Sequence, residues 1–319
     1  MPMTRRAALA ASASPFVPLF GSAPRLLPDG FWPAMLTPFN ADKSIDWNGL
    51  DALTDWYLAN GAVGLFACCA SSEVFSLTPD ERVEVARRVV KRAGKAPVVA
   101  AGMPSRALDV VKPFIARMME TGVGAFVVIT NQMAGKDESD ALWKDRMEEL
   151  MAATGGTRLG FYEQPGPYKR LLSNEIMRWA GQSGRFFFLK DVSLKAEVIR
   201  ERAAAVQGTP LKIFNAHAAI MLDAVRAGGH GFCGVCGNAY PAVVSAALKQ
   251  RSDPLQEFVR ANEPVVAKKY PASAKVMARL AGVPIEPVCR KRDIKFDEKE
   301  LERLKALRAA ADEAAPPRT

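Results

Sequence analysis

The chain has 319 residues, of which 49% are hydrophobic and 24% charged, enough to bury a large core and to exclude an extensively disordered protein. Its net charge of +9 comes from Lys and Arg interleaved with acids, as in Asp80-Glu81-Arg82 and Lys299-Glu300-Leu301-Glu302-Arg303, so it reads as a solvated surface with mild attraction for anionic small molecules rather than for nucleic acid. After the N-terminal stretch no segment holds eighteen uninterrupted apolar residues, which argues against a membrane-spanning protein.

The N-terminus, Thr4-Arg5-Arg6-Ala7-Ala8-Leu9 followed by an Ala-rich stretch to Phe20, resembles a twin-arginine export signal, with small residues for cleavage at Gly21-Ser22-Ala23. Ala8 stands where such signals favour Phe, and Pro15 and Pro18 interrupt the apolar stretch. Two readings therefore stand: residues 1–27 are a leader on a cytoplasmic enzyme, or they direct export to the periplasm. Eight short apolar, β-rich runs follow, at residues 31–37, 62–68, 97–101, 124–130, 158–162, 186–190, 211–215 and 230–235. Near-continuous rather than alternating hydrophobicity marks parallel strands covered on both faces. Between the runs the pattern predicts helices over residues 47–60, 79–93, 107–121, 140–154, 174–184 and 218–227, with Thr78 as N-cap and Pro79 in the first turn of the second. Eight strand-helix units predict an α/β fold, a (β/α)8 TIM barrel over residues 28–245. No Gly-rich phosphate fingerprint opens the first helix, which disfavours a dinucleotide-binding sheet. Residues 246–315 lack convincing strands, and Leu301, Leu304 and Leu307 among Lys, Arg and Glu mark an amphipathic helix, so a C-terminal helical extension is expected.

A barrel of this kind carries its chemistry at the C-terminal ends of its strands, so the residues that close the runs matter most. Lys190 closes the run Phe186-Phe187-Phe188-Leu189. Burial there disfavours the ammonium and predicts a neutral amine able to attack a carbonyl and form a Schiff base; the alternative is a lysine that snorkels to solvent or pairs with Asp191. Tyr162 closes the preceding run. Counting back by two, Gly160 and Phe188 share the inward face, and Phe161 and Leu189 point to the helices. Lys190 and Tyr162 then project together into the barrel mouth, where a phenol can shuttle protons through a carbinolamine. By the same alternation Glu163 and Asp191 support from behind. The loop Cys69-Ala70-Ser71-Ser72-Glu73 is rich in small residues and hydroxyls, and reads either as a carboxylate-binding concavity centred on the Ser71 hydroxyl or as an ordinary Ser-rich turn. Five cysteines, Cys68, Cys69, Cys233, Cys236 and Cys289, form an odd set read as reduced thiols. Cys233-x-x-Cys236 has no second ligand pair, and the only histidines are His217 and His230, so no metal site is predicted.

In this order the segments resemble the dihydrodipicolinate synthase and N-acetylneuraminate lyase superfamily of class I Schiff-base aldolases. The resemblance rests on Thr37-Pro38-Phe39 with Ile45-Asp46, on Cys69 to Glu73 with Leu77-Thr78-Pro79-Asp80-Glu81-Arg82, and on Phe161-Tyr162-Glu163-Gln164-Pro165. Leu189-Lys190-Asp191, Ala227-Gly228-Gly229-His230-Gly231-Phe232 and Asn238-Ala239-Tyr240-Pro241 complete it. It implies a homo-oligomer, tetramer or dimer, and no cofactor beyond a covalent imine between Lys190 and pyruvate or another 2-oxo acid. Tyr162 would relay protons and Ser71 hold the carboxylate, with Ala70, Ser72, Gln132, Ala216, His217 and Cys233 lining the substrate. Several positions depart from the pattern. Ala70 replaces a hydroxyl residue, Ser72 a glycine, and Thr130-Asn131-Gln132-Met133 lacks the tyrosine of the synthase branch. Pro167 stands where that branch keeps an arginine for the second substrate's carboxylate, and Ala216-His217-Ala218-Ala219 lacks the acids with which the lyase branch holds sugar hydroxyls. The expectation is a lyase, aldolase or dehydratase acting on a 2-oxo acid with a different second substrate. The competing reading is a non-catalytic barrel that binds an oxo acid as sensor or scavenger. Nucleic-acid and membrane partners are not expected.

Overall fold

Apolar runs that must be covered on both faces form a continuous parallel sheet in the computed structural model, which describes residues 26–315. Residues 1–25, which hold most of the stretch read as a leader or an export signal, and the last residues of the tail lie outside the described residues. The strands are β1 Gly30–Phe31, β2 Leu65–Ala67, β3 Val98–Ala100, β4 Ala125–Ile129, β5 Leu159–Tyr162, β6 Phe186–Asp191, β7 Lys212–Asn215 and β8 Gly231–Phe232. All pair in parallel in the order β1-β8-β7-β6-β5-β4-β3-β2. The ring closes just beyond β1, where Ala34 bridges to Phe66 and Met35 N donates to Phe66 O at 2.9 Å. This is the (β/α)8 TIM barrel expected from the alternation.

The helices are α1 Trp47–Ala59, α2 Pro79–Ala93, α3 Leu108–Glu120, α4 Thr130–Met133, α5 Asp140–Ala153, α6 Asn174–Gln182, α7 Ala196–Ala205, α8 Met221–Arg226 and α9 Pro241–Gln250, followed by α10 Asp253–Ala267, α11 Ala272–Leu280 and α12 Glu298–Ala314. Local chemistry sets their starts. Thr78 and Glu81 form a reciprocal capping box on α2, and Ser139, Ser173 and Asp297 accept from backbone N–H groups of α5, α6 and α12. The predicted helix over 218–227 is split: a 3-10 turn over Ala218–Ile220 precedes α8. The predicted strand over 230–235 is cut short to Gly231–Phe232, because the chain turns into a 3-10 segment over Val235–Asn238. Leu304 and Leu307 bury the apolar stripe of α12 in the outer core, and Arg308 donates to the Ala239 carbonyl.

Two cores result. An outer one fills the space between strands and helices and takes in Phe161, Phe186 and Leu189; an inner one fills the barrel and holds Trp32, Phe66, Val127, Phe188 and Phe214. The Phe188 and Phe214 rings stack with centroids 4.9 Å apart, and Trp32 lies against both. This aromatic plug makes the interior a packed core on which the strand-end residues stand. Strict alternation fails once. Leu159 pairs with Phe186 but Gly160 pairs with Phe188, so Phe187 is an extra residue on β6 and packs with the inner core beside Phe188.

Candidate active site

Tyr162 and Lys190 are register partners at the ends of β5 and β6, and both side chains turn inward above Phe188. Lys190 is only 4% exposed; its Nζ lies 4.5 Å from the Tyr162 ring centroid and 5.9 Å from that of Phe66. The Cys69 and Cys233 thiols stand close by in the same inner core. Burial opposes the ammonium, but Tyr162, Cys233 and Cys69 favour it, and the balance lies above an ordinary lysine. The neutral resting amine expected from burial alone is therefore corrected: neighbouring polar groups outweigh desolvation. Burial in turn pushes the Tyr162 phenol up, against the pull of Lys190, and the Cys233 thiol up to about 12, so near neutral pH both meet the lysine uncharged.

Asp191 does not pair with Lys190. It faces the helix side, where it and Glu163 share one guanidinium, that of Arg202 on α7, all three being at most 1% exposed. Arg202 donates to Glu163 at 2.6 and 3.0 Å, to Asp191, and to the Leu172 carbonyl at 2.7 Å. Glu163 also accepts from Leu172 N at 2.7 Å and Val192 N at 3.2 Å, and Asp191 from the Ser193 N–H and hydroxyl. Burial raises the Glu163 carboxyl above the usual range, with Asp191 adding to the rise against the pull of Arg202. The cluster clamps the loops that follow β5 and β6, and so fixes Tyr162 and Lys190 from behind.

The loop 69–73 is a 3-10 turn over Ala70–Ser72 ending on Glu73 with a left-handed φ of 54°. Ser72 is committed to the scaffold: its hydroxyl donates to Met35 O at 2.7 Å and accepts from Cys69 N at 3.1 Å. Glu73 accepts from the buried Lys275 at 2.9 Å and from Arg290 N at 2.8 Å, tying the loop to the C-terminal region. Ser71 is 4% exposed, and the half-buried Tyr270 phenol stands near its hydroxyl. Asn238 donates to that phenol at 2.8 Å and to the Ala34 carbonyl at 2.8 Å, while its own oxygen accepts from Tyr57 at 2.5 Å. Ala70, Ala216 and Cys233 pack on the inner core around Lys190. Gln132 donates to Met103 O at 3.1 Å, linking the segments after β3 and β4. His217 is held below the ordinary imidazole range by burial, with the Val192 carbonyl working against that shift and Lys190 adding to it. Thr37 Oγ1, Gln132 Oε1, Gln164 Oε1 and His217 Nε2, in the segments after β1, β4, β5 and β7, are buried without a protein partner. Sequence reasoning gave no role to Arg202, Lys275 or Tyr270; each is remote in sequence and of a type that is ordinarily exposed or structural. Among the described residues no three His, Cys, Asp or Glu are grouped to hold a metal, and no helix is long and apolar enough to cross a membrane.

The Dihydrodipicolinate synthetase family model matches residues 27–166, a span that includes the loop 69–73 and Tyr162. A 4-hydroxy-tetrahydrodipicolinate synthase of Thermomicrobium roseum is 29% identical over 226 residues, covering 70% of this chain and 72% of the relative. One of Acidobacterium capsulatum is 27% identical over 212 residues, covering 65% and 68%. Over these spans the chain is similar to the dihydrodipicolinate synthase family. Family enzymes are pyruvate-using lyases that form a lysine Schiff base and need no separate cofactor. Solved structures agree in fold. YagE of E. coli K12, a member of the dihydrodipicolinate synthase family solved with pyruvate, superposes with a TM-score of 0.79 at 20% identity over 89% of this chain and 98% of its own. A monomeric dihydrodipicolinate synthase variant gives 0.81 at 18% identity, covering 91% of this chain and 100% of that one.

Proposed function

We propose that this protein is a Schiff-base lyase of the aldolase or dehydratase type in which Lys190 attacks the carbonyl of pyruvate or a longer 2-oxo acid, Tyr162 moves the protons, and Ser71 with the loop 69–73 holds the carboxylate. The observation that carries the reading is the isolated pair at the ends of β5 and β6: a buried lysine whose polar neighbours are a phenol and two thiols. Such a lysine has no carboxylate to neutralise it and accepts an anionic substrate readily. The amine adds to the keto carbon, the oxygen leaves as water after protonation through Tyr162, and the iminium becomes an electron sink for C–C cleavage or for loss of a further water. Ala70, Ala216, Gln132, His217 and Cys233 line the substrate in this reading, while Ser72 serves the loop.

The second substrate differs from those of the synthase and neuraminate branches. Pro167 offers no cation, and Ala218-Ala219 offer no acids. Gln132 and Gln164 present buried amide oxygens as unmet acceptors, and His217 Nε2 is buried without a protein partner. An unmet buried acceptor costs about 1–3 kcal/mol, so these atoms favour a partner that brings hydroxyl donors. Incubation with pyruvate and borohydride is expected to add one reduced adduct to the wild type and none to Lys190→Ala by intact mass; equal labelling of both would remove the assignment. Coupled assays with pyruvate plus aspartate semialdehyde, and with N-acetylneuraminate, are expected to stay below a kcat/KM of about 10⁴ M⁻¹s⁻¹. A faster rate in either would restore the familiar activity.

A further inference from the structure

Lys275 lies in the middle of α11, where Ala272 to Ala278 are all buried, and its own side chain is 0% exposed. A lysine stays in such a place only when a partner meets its charge. That partner is Glu73, 202 residues earlier, whose carboxylate stands 2.9 Å from Nζ and whose side chain is 7% exposed. The ammonium also donates to the Val288 carbonyl at 2.6 Å and lies 4.6 Å from the Phe39 ring centroid. The second oxygen of Glu73 accepts from the backbone N–H groups of Arg290 at 2.8 Å and Lys291 at 3.2 Å. One carboxylate thus gathers α11 and the segment from Val288 to Lys291 onto the loop after β2.

The backbone of Glu73 gives that carboxylate a purpose. With φ 54° and ψ 37° it is left-handed, a conformation that glycine adopts freely and a residue with a side chain does not. Glycine would make the same turn without strain, so the glutamate is explained by what its carboxylate holds. The Ser72 hydroxyl bridges from Cys69 N to Met35 O, and Ala70 and Ser71 lie between those two residues, with Ala70 packed on the inner core around Lys190. Ser72 and Glu73 are therefore the two anchors that carry them. We infer that Glu73 and Lys275 are positioning residues: their ion pair holds the loop 69–73 in the shape that presents Ala70 and Ser71 to the carboxylate of the 2-oxo acid. The inference rests on the proposed carboxylate-holding role of the loop and adds the device that shapes it. It concerns binding rather than the imine step, because Lys190 and Tyr162 are fixed by a separate cluster, Arg202 with Glu163 and Asp191.

The test uses the full chain, trapped with borohydride over a range of pyruvate concentrations, with thermal unfolding followed on the same samples. Lys275→Met keeps a hydrocarbon in place of the stem and is expected to raise the half-saturating pyruvate concentration about tenfold, while the trapping rate at saturation stays within about twofold. It also lowers the melting temperature, since one member of a buried pair is stranded. The double variant Glu73→Gln/Lys275→Met strands no charge; it is expected to regain most of the lost thermal stability yet keep the raised half-saturation. Half-saturation that returns together with stability, or that never shifts in folded Lys275→Met, would overturn the inference. A measurement on the wild type needs no variant: because coupling is reciprocal, saturating pyruvate is expected to slow amide hydrogen exchange over residues 288–291 as well as 69–73. Slowing confined to the loop would equally overturn it. If the wild type is not trapped at Lys190 at all, the Schiff-base reading fails first; trapping with half-saturation that merely follows stability sinks the positioning role alone.

Discussion

Two pairs of adjacent residues on β5 and β6 bury charge with opposite results. Glu163 and Asp191 point to the helices, where one guanidinium and four backbone or hydroxyl donors take up their oxygens. One residue back, Tyr162 and Lys190 point inward, and the lysine meets a phenol, two thiols and aromatic faces. The outer set is closed: both carboxylates share one guanidinium and their remaining oxygens are met by donors of the chain, so it can only hold the loops in place. The inner set is open, because an ammonium among neutral dipoles still lacks an anion. Buried charge is structural when its partners are all within the chain and reactive when one of them has to arrive.

That contrast can be broken from either side. On the inner side, Tyr162→Phe is expected to keep the fold and the pyruvate adduct yet slow turnover of the identified substrate by roughly 10²–10⁴-fold, the range of a positioned acid/base; a wild-type rate would leave the phenol a mere wall of the site. On the outer side, Arg202→Met strands two buried carboxylates and is expected to cost about 3–5 kcal/mol by urea unfolding. A loss below about 1 kcal/mol would show that the outer set was never closed. The smallest effect concerns pH. With Lys190 above an ordinary lysine, its amine is the minor form at neutral pH, and that fraction grows with each deprotonation step, so the initial trapping rate should climb about tenfold per unit from pH 6 to 8 at saturating pyruvate. A flat profile would mean that desolvation prevails after all and that the amine is already neutral.

The barrel was legible because strands covered on both faces leave continuous apolar runs, and because Thr78-Pro79 and similar caps mark helix entries. The facing of Lys190 and Tyr162 was legible for the same geometric reason. What was hidden depends on partners far away in sequence. The stretch Ala196–Ala205 carries Glu197, Arg200, Glu201 and Arg202 and looks like a solvated surface, yet it is α7, and Arg202 is one of its buried residues. Nothing local distinguishes that arginine from its neighbours; only the two carboxylates across the strands do. Lys275 is fully buried on Glu73 for the same reason, and Tyr270 meets Asn238 from a region with no periodic link to the barrel. The protonation of Lys190 was misread because burial can be read from an apolar run, whereas the thiols and phenol that offset it come from β5, β8 and the loop after β2.

Phe187 decides which of these two chemistries Lys190 belongs to. Side chains on a strand take sides by odd and even count, and the extra residue between Phe186 and Phe188 resets that count for everything downstream. Were Phe187 an ordinary strand residue rather than a bulged one, alternation from the outward Phe186 would turn Leu189 and Asp191 into the barrel, and Lys190 would join Arg202 among the helices. The parity of β6 is thus written three residues upstream of the lysine, in a phenylalanine that touches no substrate. Deleting Phe187 would therefore restore plain alternation and leave Lys190 opposite Tyr162, whereas a second residue inserted there without a bulge would turn the carboxylate inward in place of the nucleophile.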